Sequence, residues 1–305
     1  METVANTIKR LTKDHLLNNN GLLLGQCVTA VGWINGTVPK LTLDQGIVEL
    51  PISDVSNGGI AVGAALAGRR PIYIIRFQGL GWYNLTTVLN YAAKSKEMWN
   101  VPCPIFVRSI AVEGHIGPVA SNSHHSLCCR MPGIVVKAPM TPNEWEDTWL
   151  DFLKGDDPVY CSEHKRSFDI DYEMLDDSSM FYDKYDCVIY AIGNGRLNSL
   201  EAQKILKQQN INVAIFHIVD IKPLANDLEH RVALNECGNG LVIDSDFQDY
   251  GVATQMAHDL MIKINKPVYT LGLEDRTAGF STDCDNLTPS VDKIVKRVRE
   301  IVNAD

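Results

Sequence analysis

The sequence predicts an α/β protein with two domains, each built on a parallel β-sheet. Short runs rich in β-branched residues alternate with amphipathic stretches of helix length over residues 22–163, and the alternation resumes over 187–302. An acidic, irregular stretch at 166–184 separates the two series. With 305 residues, 45% of them apolar, the chain is long enough for two full cores. We therefore expect domains at 1–165 and 185–305, joined by a linker at 166–184.

The elements of the first domain follow from periodicity and capping signals. Apolar residues recur at helical spacing over 3–17, and the Asn-Asn-Asn-Gly run ending at Gly21 stops that helix. A later helix begins at Thr141, an N-cap residue followed by Pro142 at N1 and Glu144 at N3. The predicted strands begin at Leu22 and cover 70–77, 104–108, 133–139 and 158–163, and the remaining predicted helices cover 57–67 and 84–96.

The second domain repeats the same alternation. Apolar runs of strand length are followed by stretches with helical spacing, as expected for parallel strands joined by helices. The predicted strands cover 187–192, 213–218, 240–244 and 268–271, and the predicted helices cover 200–208, 251–264 and 290–302.

Composition excludes several classes of function. The formal net charge is −9 and no basic block occurs, which argues against a nucleic-acid partner. No apolar run approaches the ~20 residues of a membrane span, and the N-terminus lacks the apolar core of a signal peptide, so we expect a cytoplasmic protein. The eight cysteines form no C-x-x-C pair, which leaves zinc and thioredoxin motifs unsupported.

The most informative segment, residues 51–71, places an acidic residue before a helix of small side chains. Asp54 precedes a helix that carries glycine or alanine at 58, 59, 61, 63, 64 and 67. Each glycine costs a helix roughly 1 kcal/mol relative to alanine, so close packing has to offset that cost. A small-residue core helix without further function is the alternative interpretation.

This segment resembles the β subunits of the E1 component of 2-oxo acid dehydrogenases. The resemblance rests on Pro51-Ile52-Ser53-Asp54, on the Gly/Ala helix after it, and on Asn90-Tyr91-Ala92-Ala93-Lys94. Further similar motifs cover 132–139, 157–165, 193–200, 220–224, 240–244 and 287–290, so that the resemblance spans nearly the whole chain. It implies a pyrimidine-binding domain followed by a transketolase C-terminal-like domain.

The resemblance implies thiamine diphosphate as cofactor and Asp54 as a catalytic, cofactor-binding carboxylate. In the family a glutamate at this place contacts the aminopyrimidine, whereas Asp54 is one methylene shorter. A shift of ~1 Å can cost ~100-fold in rate unless the backbone compensates. Three interpretations stay open: an activating carboxylate with compensating geometry, a weakened or altered site, and a turn or N-cap aspartate.

The segment after Arg76 departs from the family, which places an aromatic residue against the pyrimidine here. The candidates for covering the ring are Phe77, Leu80, Trp82 and Tyr83. For the aromatic residues, and for Trp82 above all, packing in the core or between subunits is the alternative.

A loop at 114–126 carries His115, His124 and His125, and His125-Ser126 matches a histidine motif at the family's active-site entrance. The resemblance implies that His124 and His125 are catalytic, in proton transfer or substrate binding. Asn122 is a competing match, and two exposed loop histidines are the alternative interpretation.

The Gly-Asp-Gly motif that binds Mg²⁺ and diphosphate in thiamine enzymes does not occur in this chain. The resemblance implies that an α subunit supplies it, in an α2β2 assembly that holds Mg²⁺ on the partner. It also implies a possible K⁺ at the carbonyls of Phe152, Gly155 and Asp157, and a lipoyl acyltransferase as a further partner.

Three functions follow from this resemblance. The leading one is the β subunit of a thiamine diphosphate enzyme that oxidatively decarboxylates a 2-oxo acid. The second is a split transketolase-like subunit that moves a two-carbon ketol unit between sugars, with Arg76, Arg108 and Arg130 as candidates for sugar phosphates. The third is a non-catalytic structural partner with a degenerate site.

Overall fold

The computed structural model describes residues 2–114, 116–176, 184–224 and 228–303. The chain divides into two compact units, of which the first comprises Met1–Val112 and Pro118–Glu173 and the second Glu113–Gly117 and Met174–Asp305. Within the linker predicted at 166–184, residues 177–183 lie outside the described residues, and so does His115 of the histidine loop. The domain boundaries given above stay a prediction.

The first unit contains parallel strands and the helices that connect them. The strands are β1 (Gly21–Gln26), β2 (Ile47–Leu50), β3 (Arg70–Ile75), β4 (Phe106–Ala111), β5 (Val135–Lys137) and β6 (Val159–His164). The helices in this part of the chain are α1 (Val4–Asn18), α2 (Ala30–Asn35), α3 (Asp54–Leu66), α4 (Gly81–Asn84), α5 (Ala93–Trp99), α6 (Gly117–Ala120), α7 (Ser126–Cys129) and α8 (Pro142–Lys154). Short 3₁₀ turns lie at Leu43–Gln45, Gln78–Leu80 and Lys165–Ser167, and a π-helical turn lies at Val88–Ala92.

The strands of the first unit are in the order β2-β1-β3-β4-β6-β5, and each neighbouring pair is parallel. From β1 the chain crosses to β2 on one side, and from β2 it returns to β3 on the other side of β1. The strand order therefore reverses between β1 and β3. In open parallel sheets this reversal leaves a crevice outside the carboxyl ends of the strands, where ligands bind.

Helix α8 shows how the sequence builds the core of this unit. The Thr141 hydroxyl accepts a hydrogen bond from the Glu144 amide, and Glu144 accepts one from the Thr141 amide, with proline at the first helical position. This capping box confirms the start predicted from the sequence. Aromatic side chains on the buried face of α8 pack against Phe106 of β4 at ring separations of 4.8 to 6.2 Å; they are Trp145, Trp149 and Phe152.

The second unit forms a smaller sheet. Its strands are β7 (Cys187–Ile192), β8 (Val213–Ile218), β9 (Asp220–Lys222), β10 (Gly240–Phe247) and β11 (Val268–Leu273), and its helices are α9 (Gly195–Gln208), α10 (Leu228–Cys237), α11 (Val252–Ile264) and α12 (Val291–Val302). Four strands pair in parallel in the order β11-β10-β7-β8. The apolar faces of α9 and α12 pack with these strands around Ile189, Ile215 and Ile243.

The two parallel sheets confirm the predicted fold class. Across the described ranges, no helix combines the length and apolarity that crossing a membrane requires.

Several elements differ from the sequence prediction. Helix α3 begins at Asp54 rather than at 57, with Ser53 as its N-cap residue. The helix predicted at 84–96 is broken into α4, the π-helical turn and α5. The helices α2, α6, α7 and α10 and the strands β2 and β9 were not predicted. Strand β2 has only four residues, which is too few for a periodicity signal, and α2 turns left-handed from Gly32 to Asn35.

Candidate active site

A cavity of about 190 Å³ lies at the carboxyl ends of β1 and β3, where the strand order reverses. It is lined by Gln26, Cys27, Asp54, Ile74, Ile75, Arg76, Phe77, Leu80 and Asn84. A wider depression of about 420 Å³ follows the outer face of α1 and is lined mainly by charged side chains such as Lys9, Lys13 and Asp14. Ligand sites are mostly apolar with a few convergent polar groups, and only the smaller cavity has that character.

Asp54 supplies the carboxylate of this cavity. The Gln26 side-chain amide donates to its Oδ1 at 2.5 Å, and the Asn84 side-chain amide donates to the same oxygen at 3.1 Å. Among the described residues, none donates a hydrogen bond to Oδ2. Because Ser53 is the N-cap residue and Asp54 the first residue of α3, the interpretation of Asp54 as an N-cap is wrong. A carboxylate in the first helical turn is instead stabilised by the helix dipole.

Two of the four side chains predicted to cover a ring line the cavity. Phe77 and Leu80 follow β3 and lie on its wall, beside the almost fully buried Ile74 and Ile75. Trp82 and Tyr83, by contrast, are 65% and 60% exposed and do not line it. The cavity therefore combines apolar walls with one carboxylate, which suits a flat ring that has a polar edge.

Sequence reasoning missed Gln26 and Asn84, the two residues whose side-chain amides hold the Asp54 carboxylate. Gln26 ends β1, so its place at the cavity follows only from the strand order. Asn84 reaches Asp54 because α3 approaches α4 closely at Gly58, where a Cβ atom would lie 2.4 Å from the Asn84 carbonyl oxygen. This contact confirms that a glycine of the small-residue helix permits a close backbone approach.

The histidines of the loop belong to a buried polar network in the first unit. His125 is fully buried, with Nδ1 3.1 Å from the Ser162 hydroxyl. Gln78 donates to that hydroxyl at 2.9 Å and accepts from the His124 backbone amide at 2.7 Å. His125 is therefore not an exposed loop residue, and neither histidine lines the cavity around Asp54.

The carbonyls predicted to hold K⁺ face a different cation. The Arg70 guanidinium donates from Nη1 to the Phe152 carbonyl at 2.7 Å, and from both Nη1 and Nη2 to the Gly155 carbonyl at 3.1 Å. Each of these two oxygens therefore already accepts a hydrogen bond from a side-chain cation, and the potassium site stays a prediction. Elsewhere in the described parts of the chain, no group of three or more His, Cys, Asp or Glu side chains could hold a metal ion.

The geometry thus defines an α/β protein with a small-ligand site at the switch point of its first sheet. Residues 19–169 match the family model described as transketolase, pyrimidine binding domain.

Relatives over the whole length agree with this match. The chain is 23% identical to the pyruvate dehydrogenase E1 component subunit beta of Bacillus subtilis, with 98% of both chains covered. It is 24% identical to the acetoin:2,6-dichlorophenolindophenol oxidoreductase subunit beta of the same organism, over 90% of this chain and 85% of that one. These similarities confirm the resemblance to E1 β subunits.

A solved structure with the same fold is described as a split gene transketolase, inactive beta4 tetramer. It matches with a TM-score of 0.75 and 17% sequence identity, covering 98% of this chain and 97% of that one. This likeness establishes the fold.

Proposed function

We propose that this chain is the β subunit of a heteromeric enzyme that depends on thiamine diphosphate, and that Asp54 binds the aminopyrimidine of the cofactor. One observation carries the proposal: a carboxylate with an open oxygen lies on the wall of a cavity whose lining also includes the apolar side chains of Ile75, Phe77 and Leu80. The family match of residues 19–169 supports it.

The residues present fit an aminopyrimidine. Phe77, Leu80 and Ile75 offer apolar surface to the faces of a ring, and Asp54 Oδ2 can accept a hydrogen bond from a ring nitrogen at its edge. The bound cofactor supplies the carbon nucleophile and the electron sink for cleavage next to a ketone. The protein's part is to hold the ring edge against Asp54 and to keep water from the apolar walls.

The proposal requires a partner subunit. The chain has no Gly-Asp-Gly motif for Mg²⁺ and diphosphate, so an α-type subunit has to supply that half of the site, in an assembly proposed to be α2β2. The exposed aromatic side chains of Trp82 and Tyr83 suit a contact with another subunit, because aromatic residues are enriched at interfaces.

We propose a 2-oxo acid as the substrate, with the acyl group passed to the lipoyl group of an acyltransferase. Support comes from the whole-length similarity to a pyruvate dehydrogenase E1 β subunit. His124 and His125 stay candidates for proton transfer in this reaction. The hydrogen bond of His125 with Ser162 would orient its ring.

A split transketolase is the second candidate, and the positions of the three arginines proposed for sugar phosphates decide how well it fits. Arg108 is fully buried and donates to both carboxylate oxygens of Glu163, at 2.7 and 2.8 Å, so its charge is already paired. Arg130 is exposed at the end of α7. Arg76 lines the cavity and is the one arginine of the three that could meet a sugar phosphate there.

The test is to express the chain together with a candidate α-type chain that carries the Gly-Asp-Gly motif and to measure thiamine diphosphate binding by calorimetry with Mg²⁺. We expect the pair to bind the cofactor and to reduce 2,6-dichlorophenolindophenol with a 2-oxo acid. Asp54→Ala should lose turnover by at least about 100-fold, whereas Asp44→Ala, at an exposed acid of the same unit, should not.

Other outcomes separate the candidates. Turnover of a ketose donor without turnover of any 2-oxo acid would favour the transketolase. If the pair does not bind thiamine diphosphate, or if its turnover is the same with and without Asp54→Ala, the catalytic assignment of Asp54 is contradicted and a structural role is favoured.

A further inference from the structure

A buried hydrogen-bond relay leads from β3 to the open carboxylate. The Tyr73 hydroxyl donates to Asn84 Oδ1 at 2.5 Å, and Asn84 Nδ2 donates to Asp54 Oδ1 at 3.1 Å. The second hydrogen of that amide goes to the Leu80 carbonyl at 3.0 Å. Tyr73 is fully buried and Asn84 is 3% exposed, so these bonds form away from bulk water.

Each hydrogen bond of this relay has a fixed donor and a fixed acceptor. Burial raises the pKa of the Tyr73 hydroxyl far above its ordinary value, and the negative charge of Asp54 raises it further. The protonated hydroxyl is therefore the favoured form of Tyr73, and it donates to Asn84 Oδ1. Only the oxygen of the Asn84 amide can accept that proton, so the NH₂ group is turned toward Asp54.

This orientation determines which oxygen of Asp54 is available. Gln26 and Asn84 both donate to Oδ1 and so satisfy that oxygen. The two hydrogen bonds also restrict rotation of the Asp54 side chain. Oδ2 receives no hydrogen bond from the residues that the structure describes. A carboxylate held by one oxygen and open at the other is prepared to bind a ligand through the second oxygen.

We propose that Tyr73 and Asn84 are positioning residues that aim Oδ2 of Asp54 at the bound cofactor. The inference rests on the proposed function, since it deepens the role of Asp54 in binding the aminopyrimidine. The direction of the carboxylate is then determined by Asn84 and Tyr73, which do not touch the ligand themselves. Gly58 belongs to the same arrangement, because its missing side chain lets Asn84 come near Asp54.

Two nearly isosteric substitutions test the relay in the assembled enzyme. Asn84→Asp keeps the acceptor for Tyr73 but replaces the donor toward Asp54 with a second carboxylate. Tyr73→Phe removes the hydroxyl that orients the Asn84 amide. We expect Asn84→Asp to weaken thiamine diphosphate binding about tenfold or more, as for the loss of a charged hydrogen bond, and Tyr73→Phe to weaken it by a smaller factor.

The matched controls lie in the second unit. Asn286→Asp changes another buried amide, whose Nδ2 donates to the Glu274 and Arg276 carbonyls. Tyr190→Phe removes another buried hydroxyl, which donates to the His230 carbonyl at 2.7 Å. Neither control should change cofactor affinity by more than about twofold, although both remove buried hydrogen bonds.

A double-mutant cycle separates positioning from general stability. If Tyr73 and Asn84 act through Asp54, each substitution should weaken cofactor binding in the wild-type background but not in the Asp54→Ala background. kcat should fall with the KM for the 2-oxo acid changed less than about twofold. If the wild-type pair binds the cofactor but each substitution lowers the cofactor affinity equally in the wild-type and Asp54→Ala backgrounds, the relay is overturned and the proposed function is not. Absence of cofactor binding by the wild-type pair would overturn the proposed function, and this inference with it.

Discussion

At the scale of single residues, His15 is a histidine that the fold keeps neutral. It is fully buried on α1, with its ring edge-on to Trp149 and Phe152 at 5.6 Å. Nε2 lies 2.7 Å from the Arg70 carbonyl oxygen and must carry the proton, because a carbonyl only accepts. Burial is the largest cause that lowers the pKa of His15 below its ordinary value of 6.5, and the Arg70 charge also lowers it.

This lowered pKa predicts a loss of stability in mild acid. Because the pKa of His15 is lower in the folded chain, the unfolded chain takes up this proton at a higher pH than the folded chain does. The contribution of His15 to stability is therefore complete above pH 6.5 and is lost as the pH falls below it. Between pH 7.5 and 5.5 we expect His15 to account for part of the fall in the free energy of unfolding. Urea titrations of His15→Gln should show a shallower pH dependence than wild type.

The control for this prediction is His258→Gln, since that side chain is 65% exposed. Its pH dependence should match that of wild type. An unchanged slope in His15→Gln would mean that the buried ring accepts a proton without cost and that another group sets the acid sensitivity.

At the scale of elements, the C-terminal end of α8 is held by a side chain from β3. The last carbonyls of a helix have no partner within it and carry the negative end of the helix dipole. Arg70 donates to two carbonyls at this end, those of Phe152 and Gly155, and its guanidinium lies 5.7 Å from the centre of the Phe152 ring. The guanidinium thus contacts two of the three carbonyls that the family resemblance assigns to a potassium ion.

This arrangement predicts stability that does not depend on potassium. Replacing KCl with choline chloride at equal ionic strength should leave the urea midpoint of wild type unchanged. Arg70→Ala should lower the free energy of unfolding by about 1–3 kcal/mol, because two buried carbonyls lose a charged donor. Lys9→Ala, which removes an exposed charge on α1, should cost less than about 0.5 kcal/mol. A specific gain of stability by wild type in potassium would show that the carbonyls bind the ion after all.

The elements also show what periodicity can and cannot predict. Residues 187–192 and 213–218 form β7 and β8 as predicted, because a run of six apolar residues in β7, and of five such residues among six in β8, leaves little choice. The start of α8 was predictable because Thr141, Pro142 and Glu144 act locally. The break between α4 and α5 was not predictable from the local pattern. The contact of Asn84 with Asp54 is non-local as well, since the two residues are thirty positions apart and come together where Gly58 lets the backbones approach.

The site follows the same division. Asp54, Phe77 and Leu80 could be predicted, since they lie in or next to a recognisable motif and all three line the cavity. Gln26 and Cys27 could not, because they reach the cavity only through the order of the strands. Trp82 and Tyr83 show the limit of composition: an aromatic residue near a site can face away from the cavity, as these two do.

At the scale of the whole molecule, the proposed site draws on one unit. The residues that line the cavity all belong to the first unit, and they come from β1, α3, β3 and the segment after β3. The second unit has its own sheet and its own core, built from β7, β8, β10 and β11 with α9 and α12. A ligand in this cavity should therefore stabilise the two units unequally.

Hydrogen exchange can measure this asymmetry in the assembled enzyme. Adding thiamine diphosphate and Mg²⁺ to the chain with its α-type partner should slow amide exchange in β1, α3 and the segment 76–84, because a ligand that binds only the folded state suppresses local opening. Exchange in β7 and β8 should change far less, since no residue of these strands lines the cavity. Asp54→Ala should remove the protection around α3 while any protection that the partner gives by contact alone persists. Equal slowing of exchange in both units would instead mean that the cofactor acts on the assembly as a whole. Protection of α3 that survives Asp54→Ala would show that the aminopyrimidine ring is not bound by this carboxylate.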